Sequence, residues 1–310
     1  MKKLRIGSRG SKLALWQAQN IQKLLRAVSN VDSEIVIVKT SGDAMPNAPI
    51  ATVGTKGVFI KELEDELLDG RIDIAVHSMK DVPTELPGGL AIVATPKRAD
   101  PRDCLLSRNG ATLDTLPSGA KVGTSSLRRQ CQLRRSRPDL DIREVRGNVD
   151  TRIRKLEAGE FAAIVLAKAG LDRLELSARI TEILPPELML PAVGQGAMGI
   201  EVRLGDDEIL DLTLPLNDSA TEQAVTAERA LLQRLEGGCQ VPLGAWARFE
   251  NQNELTMDAA IFSADGAESV RRQISGSPAD AAALGRQLAE NLLDSGADAI
   301  LNSLTRGFTV

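Results

Sequence analysis

Three stretches of the chain hold residue types that can act on a ligand. Between Lys121 and Lys155 stand 11 basic residues against four acidic ones, a local excess of +7 in a chain of net charge −4. Arginine dominates there, and its planar fork meets a carboxylate or phosphate through two parallel hydrogen bonds. Arg134, Arg135, Arg137 and Arg154 read as a solvated helix face. Arg128 and Arg129 differ, because they open a helix behind Gly123-Thr124-Ser125-Ser126, where backbone N–H groups favour anions. Arg146 sits likewise, at a predicted strand end before Gly147-Asn148. The second stretch is His77-Ser78-Met79-Lys80-Asp81, directly behind an apolar run. Lys80 and Asp81 could form a plain surface ion pair. At the mouth of a ligand site, the carboxylate of Asp81 would instead stabilise a developing cation or move a proton. His77, the only histidine, reads as a hydrogen-bonded structural residue. The third stretch is Glu236-Gly237-Gly238-Cys239-Gln240-Val241-Pro242. Its glycines let backbone and ligand approach closely, which makes Cys239 a candidate for covalent chemistry. Cys104 and Cys131 read as inert core.

Alternating elements must position these residues. A short strand at 4–7 leads through Gly7 and Ser11 into an amphipathic helix with Leu13, Trp16, Ile21, Leu24, Leu25 and Val28 on one stripe. A β-branched run at 35–39, a Gly/Pro/Asn-rich loop over 41–57, a helix over 58–69 closed by Gly70 and a strand at 72–76 follow. The pattern restarts with a strand ending at Lys121-Val122-Gly123, hydroxyl caps at Thr124–Ser126 and the helix LRRQCQLRR. A strand at 141–145, a helix at 149–158 and a strand at 162–167 complete it. This repetition predicts two similar α/β lobes with mainly parallel sheets facing each other across a cleft, and ligands lie beyond the carboxyl ends of such strands. A strand at 198–202 returns the chain to the first lobe. The last third is different: a helix over 217–235, strands at 244–250, 254–262 and 268–276 joined by short polar turns, and a helix over 278–294 predict an α+β domain with an antiparallel sheet.

Composition narrows the function. At ~150 residues per domain, 310 residues imply two or three domains. The near-balance of 38 basic and 42 acidic side chains argues against a dedicated nucleic-acid binder. Five Phe, two Trp and no Tyr leave few platforms for stacking bases. No apolar run reaches the ~18 residues of a membrane span, and MKKLRIGSRG lacks the apolar segment of a secretory signal. Three widely spaced cysteines form no disulfide framework and suit a reducing cytoplasm, and one histidine rules out multi-histidine metal sites.

Over nearly its whole length the chain resembles the porphobilinogen deaminases, or hydroxymethylbilane synthases. The resemblance is carried by Lys56-Gly57-Val58-Phe59 with Lys61-Glu62-Leu63, by AVHSMKDVP at 75–83, GTSSLRRQCQL at 123–133, VRGNVDTRIRKL at 145–156, PAVGQGA at 191–197 and LEGGCQVPLGA at 235–245. It implies two lobes similar to type II periplasmic-binding-protein domains around a cleft, residues 1–96 with 197–215 and residues 97–196. A third domain over 216–310, with a three-stranded antiparallel sheet, would carry the cofactor cysteine. It also implies a dipyrromethane cofactor, held by Cys239 through a thioether and serving as primer. Four porphobilinogens add to it head to tail, each losing ammonia, and water releases hydroxymethylbilane. Asp81 matches the catalytic position. Cys239, Lys80, Arg128, Arg129, Ser126, Thr124, Ser78, Arg146, Gly196 and Gln195 match the cofactor site. Arg9, Ser11, Arg146, Arg152, Arg173, Lys56, Phe59 and Asn148 match substrate-binding positions. Six rings would bring roughly twelve carboxylates together, and fixed cations must offset their repulsion. Gly42-Asp43 and the loop 44–57 match a mobile lid, which suits excluding water from a reactive cation.

The chain departs from the family pattern at Lys12, where Pro is common, at Thr52, where many relatives have Lys, and at Lys168 in LAKAG. The composition of the loop Ala44–Pro49 is also atypical. Lys168 either supplies the cation that Thr52 lacks or faces solvent at a strand end. Two readings from other classes compete: a two-lobed receptor for an anionic solute, which needs a signal peptide and no Cys239, and a nucleic-acid binder resting on 121–155 alone. The expectation is a cytoplasmic, monomeric enzyme acting on porphobilinogen, with no metal, nucleic-acid or membrane partner.

Overall fold

A computed structural model describes residues 3–40, 60–235, 241–251 and 253–307. The chain divides into two compact units, Met1–Ala99 with Gly196–Glu222, and Asp100–Gln195 with Gln223–Val310.

The first unit is built on five strands: β1 (Leu4–Ser8), β2 (Ser33–Ile37), β3 (Ile74–Ser78), β4 (Leu90–Ala94) and β10 (Met198–Arg203), in the order β2-β1-β3-β10-β4. Helix α1 (Lys12–Ser29) starts at Ser11, whose hydroxyl accepts from the Ala14 N–H at 3.3 Å. Ala18, Ile21 and Leu25 of α1 pack on Ile6, Ile74, Val76, Ile200 and Val202. Val28, expected on that stripe, is 53% exposed, because the buried stripe runs through Gln17, Ala18, Ile21 and Leu25. The opposite face is covered by α2 (Lys61–Leu68), whose Leu63 and Leu67 pack with Ile72 and Ala75. This alternation along β3 sends Ile74, Val76 and Ser78 toward α1, and Ala75 and His77 toward α2. β3 begins and ends two residues later than the apolar run suggests, so His77 and Ser78 are its last two residues. The chain then makes one 3-10 turn, Met79–Asp81.

The second unit holds β5 (Asp103–Ser107), β6 (Lys121–Gly123), β7 (Asp141–Arg143), β8 (Ala163–Ala167) and β9 (Glu182–Ile183), in the order β7-β6-β8-β5-β9. Helix α3 (Leu127–Ser136) covers one face through Leu133, which clusters with Leu105, Val122 and Val165. Helices α4 (Val149–Glu157) and α5 (Lys168–Arg173) cover the other, Ile153, Leu156 and Leu171 meeting Cys104, Ile164 and Leu166.

Both five-stranded sheets are evenly mixed, which corrects the mainly parallel expectation. β1 pairs in parallel with β2 and β3, but β10 runs antiparallel to both β3 and β4. β6 pairs in parallel with β7 and β8, whereas β5 is antiparallel to β8 and β9. Helical crossovers yield the parallel pairs, and the antiparallel strands enter after long excursions that hydrophobic period alone does not reveal.

After α6 (Asp207–Thr213) and α7 (Ser219–Arg234) comes an antiparallel meander of β11 (Leu243–Asn251), β12 (Glu254–Phe262) and β13 (Ser269–Gly276). One face buries Ala245, Ala247, Met257, Ala259 and Ile261 against Ala227 and Leu231 of α7 and Leu288 and Leu292 of α8 (Ala281–Leu292). Gly285 lets α8 press on α7: a Cβ there would stand 2.1 Å from the Ala227 carbonyl oxygen. The helix expected over 278–294 is α8, and beyond Gly296, whose φ of 96° ends that turn, the chain adds a further helix, α9 (Asp298–Gly307). No described helix is long and apolar enough to cross a membrane.

Candidate anion-binding and catalytic residues

In the first unit, Asp81 lies at the end of the 3-10 turn behind β3 and is exposed beside exposed Lys80. Three anchors fix the approach to it. The Met79 N–H donates to the Ala197 carbonyl at 3.1 Å. The Ser78 hydroxyl accepts from Gln17 Nε2 of α1 at 2.8 Å. His77, as expected a hydrogen-bonded core residue, has Nε2 2.8 Å from Glu201 Oε2. Arg9 and Ser11 stand at the β1–α1 junction, half-buried, with Ser11 engaged as the helix cap. Gly196, at φ 86°, accepts the Ala99 N–H at 3.2 Å.

In the second unit the basic segment gathers around an acid that residue spacing did not single out. Asp103, the first residue of β5, is wholly buried. Its Oδ2 accepts from Arg128 Nη1 at 2.7 Å, and its Oδ1 from Arg129 Nη2 at 2.7 Å and Gln195 Nε2 at 2.9 Å. Burial would raise the pKa of Asp103, but Arg128 and Arg129 override it and hold the carboxyl well below its usual range. Each guanidinium also meets a backbone carbonyl, Arg128 that of Leu190 at 2.5 Å and Arg129 that of Val165 at 3.0 Å. Gln195 further donates to the Pro101 carbonyl at 2.6 Å. Arg128 and Arg129 are each only 5% exposed, so the anion-facing pair expected at the mouth of α3 is embedded in its base.

Arg152 of α4 is held by its Nε on the Gly147 carbonyl at 2.7 Å. Burial and then the charge of Arg129 push its pKa down to about 10. Arg173, at the end of α5, is likewise pushed down to about 10 by burial. Cations so desolvated gain from an incoming anion. Arg146 is more exposed and engages Glu144 Oε2 at 2.9 and 3.2 Å. Thr124 is buried and its Oγ1 accepts from the Ser126 N–H at 3.3 Å. Ser126 and Asn148 occupy the N-cap positions of α3 and α4 without capping them through their side chains. The expected hydroxyl caps are therefore not made, and the Ser125 hydroxyl turns to the Val145 carbonyl at 2.8 Å.

Arg135 and Arg154 are exposed, as expected of a solvated helix face. Arg134 and Arg135 also donate to the Ala264 and Ala267 carbonyls of the β12–β13 turn, and Arg137 to the Leu113, Asp114 and Leu116 carbonyls. Lys168 pairs with Asp172 at 2.6 Å. Cys104 and Cys131 are buried and inert, their thiols pushed by burial up to about 12 and about 11. Lys56, Phe59, Cys239, Thr52 and the expected lid at 42–57 lie outside the described residues. Asp103, Gln17 and Glu201 went unread, although an acid inside the apolar run MGIEV marks a buried charge that needs a partner.

Fold and residues together define an α/β protein whose second unit holds several desolvated guanidiniums. Two family models match the chain: "Porphobilinogen deaminase, dipyromethane cofactor binding domain" over residues 4–211 and "Porphobilinogen deaminase, C-terminal domain" over residues 222–294. The porphobilinogen deaminase of Syntrophotalea carbinolica is 52% identical over 302 residues, 97% of this chain and 96% of that protein. The chain belongs to the porphobilinogen deaminase family. It is accordingly an enzyme of tetrapyrrole biosynthesis with a dipyrromethane cofactor-binding domain. Among solved structures, it is similar to the VFT2 domain of Bordetella pertussis BvgS (14% identity, TM-score 0.42, 74% of this chain and 91% of that one). It is also similar to an ABC transporter periplasmic substrate-binding protein from Coxiella burnetii (15% identity, TM-score 0.43, 69% and 91%).

Proposed function

We propose that this chain joins four porphobilinogens head to tail, with loss of ammonia, onto a dipyrromethane held by Cys239, and releases hydroxymethylbilane. The observation that carries the reading of the site is the arginine set of the second unit. Burial and Arg129 both disfavour the charge on Arg152, and burial disfavours that on Arg173, so carboxylates brought there are stabilised. That donor chemistry fits a dipyrromethane, whose acetate and propionate groups are anions. When bound, the cofactor supplies the nucleophilic pyrrole carbon on which the chain grows.

The remaining work falls to side chains. Arg9, Ser11, Arg146, Arg152, Arg173, Lys56, Phe59 and Asn148 bind the substrate, with guanidiniums taking carboxylates in pairs of hydrogen bonds. Lys80, Arg128, Arg129, Arg146, Ser78, Thr124, Ser126, Gln195 and Gly196 serve the cofactor. For the buried Arg128 and Arg129 this means a wall of fixed positive charge with Asp103 at its back. Asp81 is the catalytic carboxylate. As the C–N bond of porphobilinogen breaks and ammonia departs, positive charge spreads over the pyrrole, and the Asp81 carboxylate stabilises it. Asp81 would also take up the proton released as each unit is joined. The enzyme works as a cytoplasmic monomer with no nucleic-acid partner.

Intact-protein mass spectrometry tests the cofactor assignment. The purified enzyme should carry an excess equal to two porphobilinogens less two ammonias, absent in Cys239→Ser. An unmodified mass for active enzyme overturns it. Asp81→Asn should cut kcat by ~100-fold or more, as for loss of a charge-stabilising group, while the cofactor mass persists. A near-wild-type rate removes Asp81 from the chemistry.

A further inference from the structure

On the face of the first sheet covered by α2, three titratable side chains are held out of water, two of them in contact. His77 is 5% exposed, Glu64 of α2 7%, and Glu201 of β10 is fully buried. The strand register explains the meeting. β10 runs antiparallel to β3 with Gly199 opposite His77 and Glu201 opposite Ala75, so Glu201 reaches His77 on the diagonal. An ionised carboxylate only accepts, so the imidazole presents Nε2–H to Glu201 Oε2 across their 2.8 Å. Gly199 leaves room for the next residue of the same column: a Cβ there would stand 2.3 Å from Met79 Sδ. Glu201, His77 and Met79 therefore stack along one face, and Met79 opens the turn that ends in Asp81.

We propose that Glu64, His77 and Glu201 form a buried proton-sharing cluster that positions the Met79–Asp81 turn, with Glu201 acting on Asp81 through His77. The proposal rests on Asp81 being the catalytic carboxylate. A cluster of this kind costs free energy that apolar side chains would not, and fixing one conformation is its best-attested use. Oε1 of Glu64 and Oε1 of Glu201 are both buried without a hydrogen-bond partner among the described residues, so holding two negative charges there together is disfavoured. Glu64 is pushed up to about 7 by burial first and then by the charge of Glu201, with His77 opposing and Asp65 adding slightly. These are the charged groups that face the cluster from α2, β3 and β10. Arg203, farther along β10, is engaged by Asp206 and by the Leu67 and Ile72 carbonyls.

Carbon-13 NMR of the glutamate carboxyls reads the cluster directly. In the holoenzyme one glutamate carboxyl should show a step near pH 7, and that step should be absent from Glu64→Gln. In Glu201→Gln, where the neighbouring charge is gone, the same step should fall to lower pH. Glu201→Gln should lower kcat about tenfold or more, leave KM within about twofold and leave the cofactor mass unchanged. Should Glu201→Gln fail to fold, Glu201→Asp keeps the charge, shortens the reach and should give the same split between kcat and KM. No glutamate step near pH 7, or its persistence in Glu64→Gln, overturns the shared proton, and a wild-type kcat in the Glu201 variant overturns the positioning role. Loss of the Asp81 assignment would register separately, as wild-type turnover by Asp81→Asn with the glutamate carboxyl signals unaffected.

Discussion

Asp103 takes Arg128 on one oxygen and Arg129 on the other, inside a strand with no solvent contact. Removing its charge leaves two guanidiniums desolvated and uncompensated, a far larger penalty than the net worth of the pair. Asp103→Asn should therefore destabilise the protein by ~3–5 kcal/mol, read from the urea midpoint at unchanged slope. Gln195 would keep its Pro101 contact, so the loss should exceed that of Gln195→Ala, in which one donor is removed and both ion pairs survive. The arginines were legible as a group because residue type and position before a helix are local properties. Their partner was not, since Asp103 meets them from 25 and 26 residues away and the chain offers 42 acids to choose from.

At the scale of elements, Gly199 is the place where β10 yields to the turn that follows β3. Gly199→Ala would drive a methyl into Met79 Sδ, with Ile92 only 3.4 Å off on another side. Met79 is itself 2% exposed and has no open space to enter. The variant should lose ~1–3 kcal/mol, the usual range for overpacking, and its kcat should fall with the cofactor still attached. Thermal unfolding beside steady-state kinetics checks both. Most elements were readable because period, caps and glycines agree, as at Ser11 before α1 and at the turns of the β11–β13 meander. β4 and β5 are short, and their antiparallel pairings depend on residues ~60–110 positions away, beyond the reach of any local pattern.

For the whole molecule, two of the buried acids, Asp103 and Glu64, act at opposite ends of the pH scale. Asp103 is held well below its usual value, so its contribution is present above about pH 4 and is lost as acid protonates it. Glu64 is raised from 4.5 to about 7, so its contribution is complete below pH 4.5 and is lost as pH climbs through 7. Between pH 5 and 8 the wild type should lose stability that Glu64→Gln does not, by an amount of order 1–3 kcal/mol. Parallel denaturation curves for both proteins across that window test the sign, and equal slopes would refute it.

The place of β10 has a consequence for synthesis on the ribosome. It fills the gap between β3 and β4, yet about 100 residues separate it from β4. At roughly 5–20 residues per second, the nascent amino-terminal third waits some 5–20 s with two strand edges unsatisfied. Fragments ending near residue 99 should therefore clump or call on chaperones, and release of the nascent chain should become productive only once Arg203 has cleared the exit tunnel.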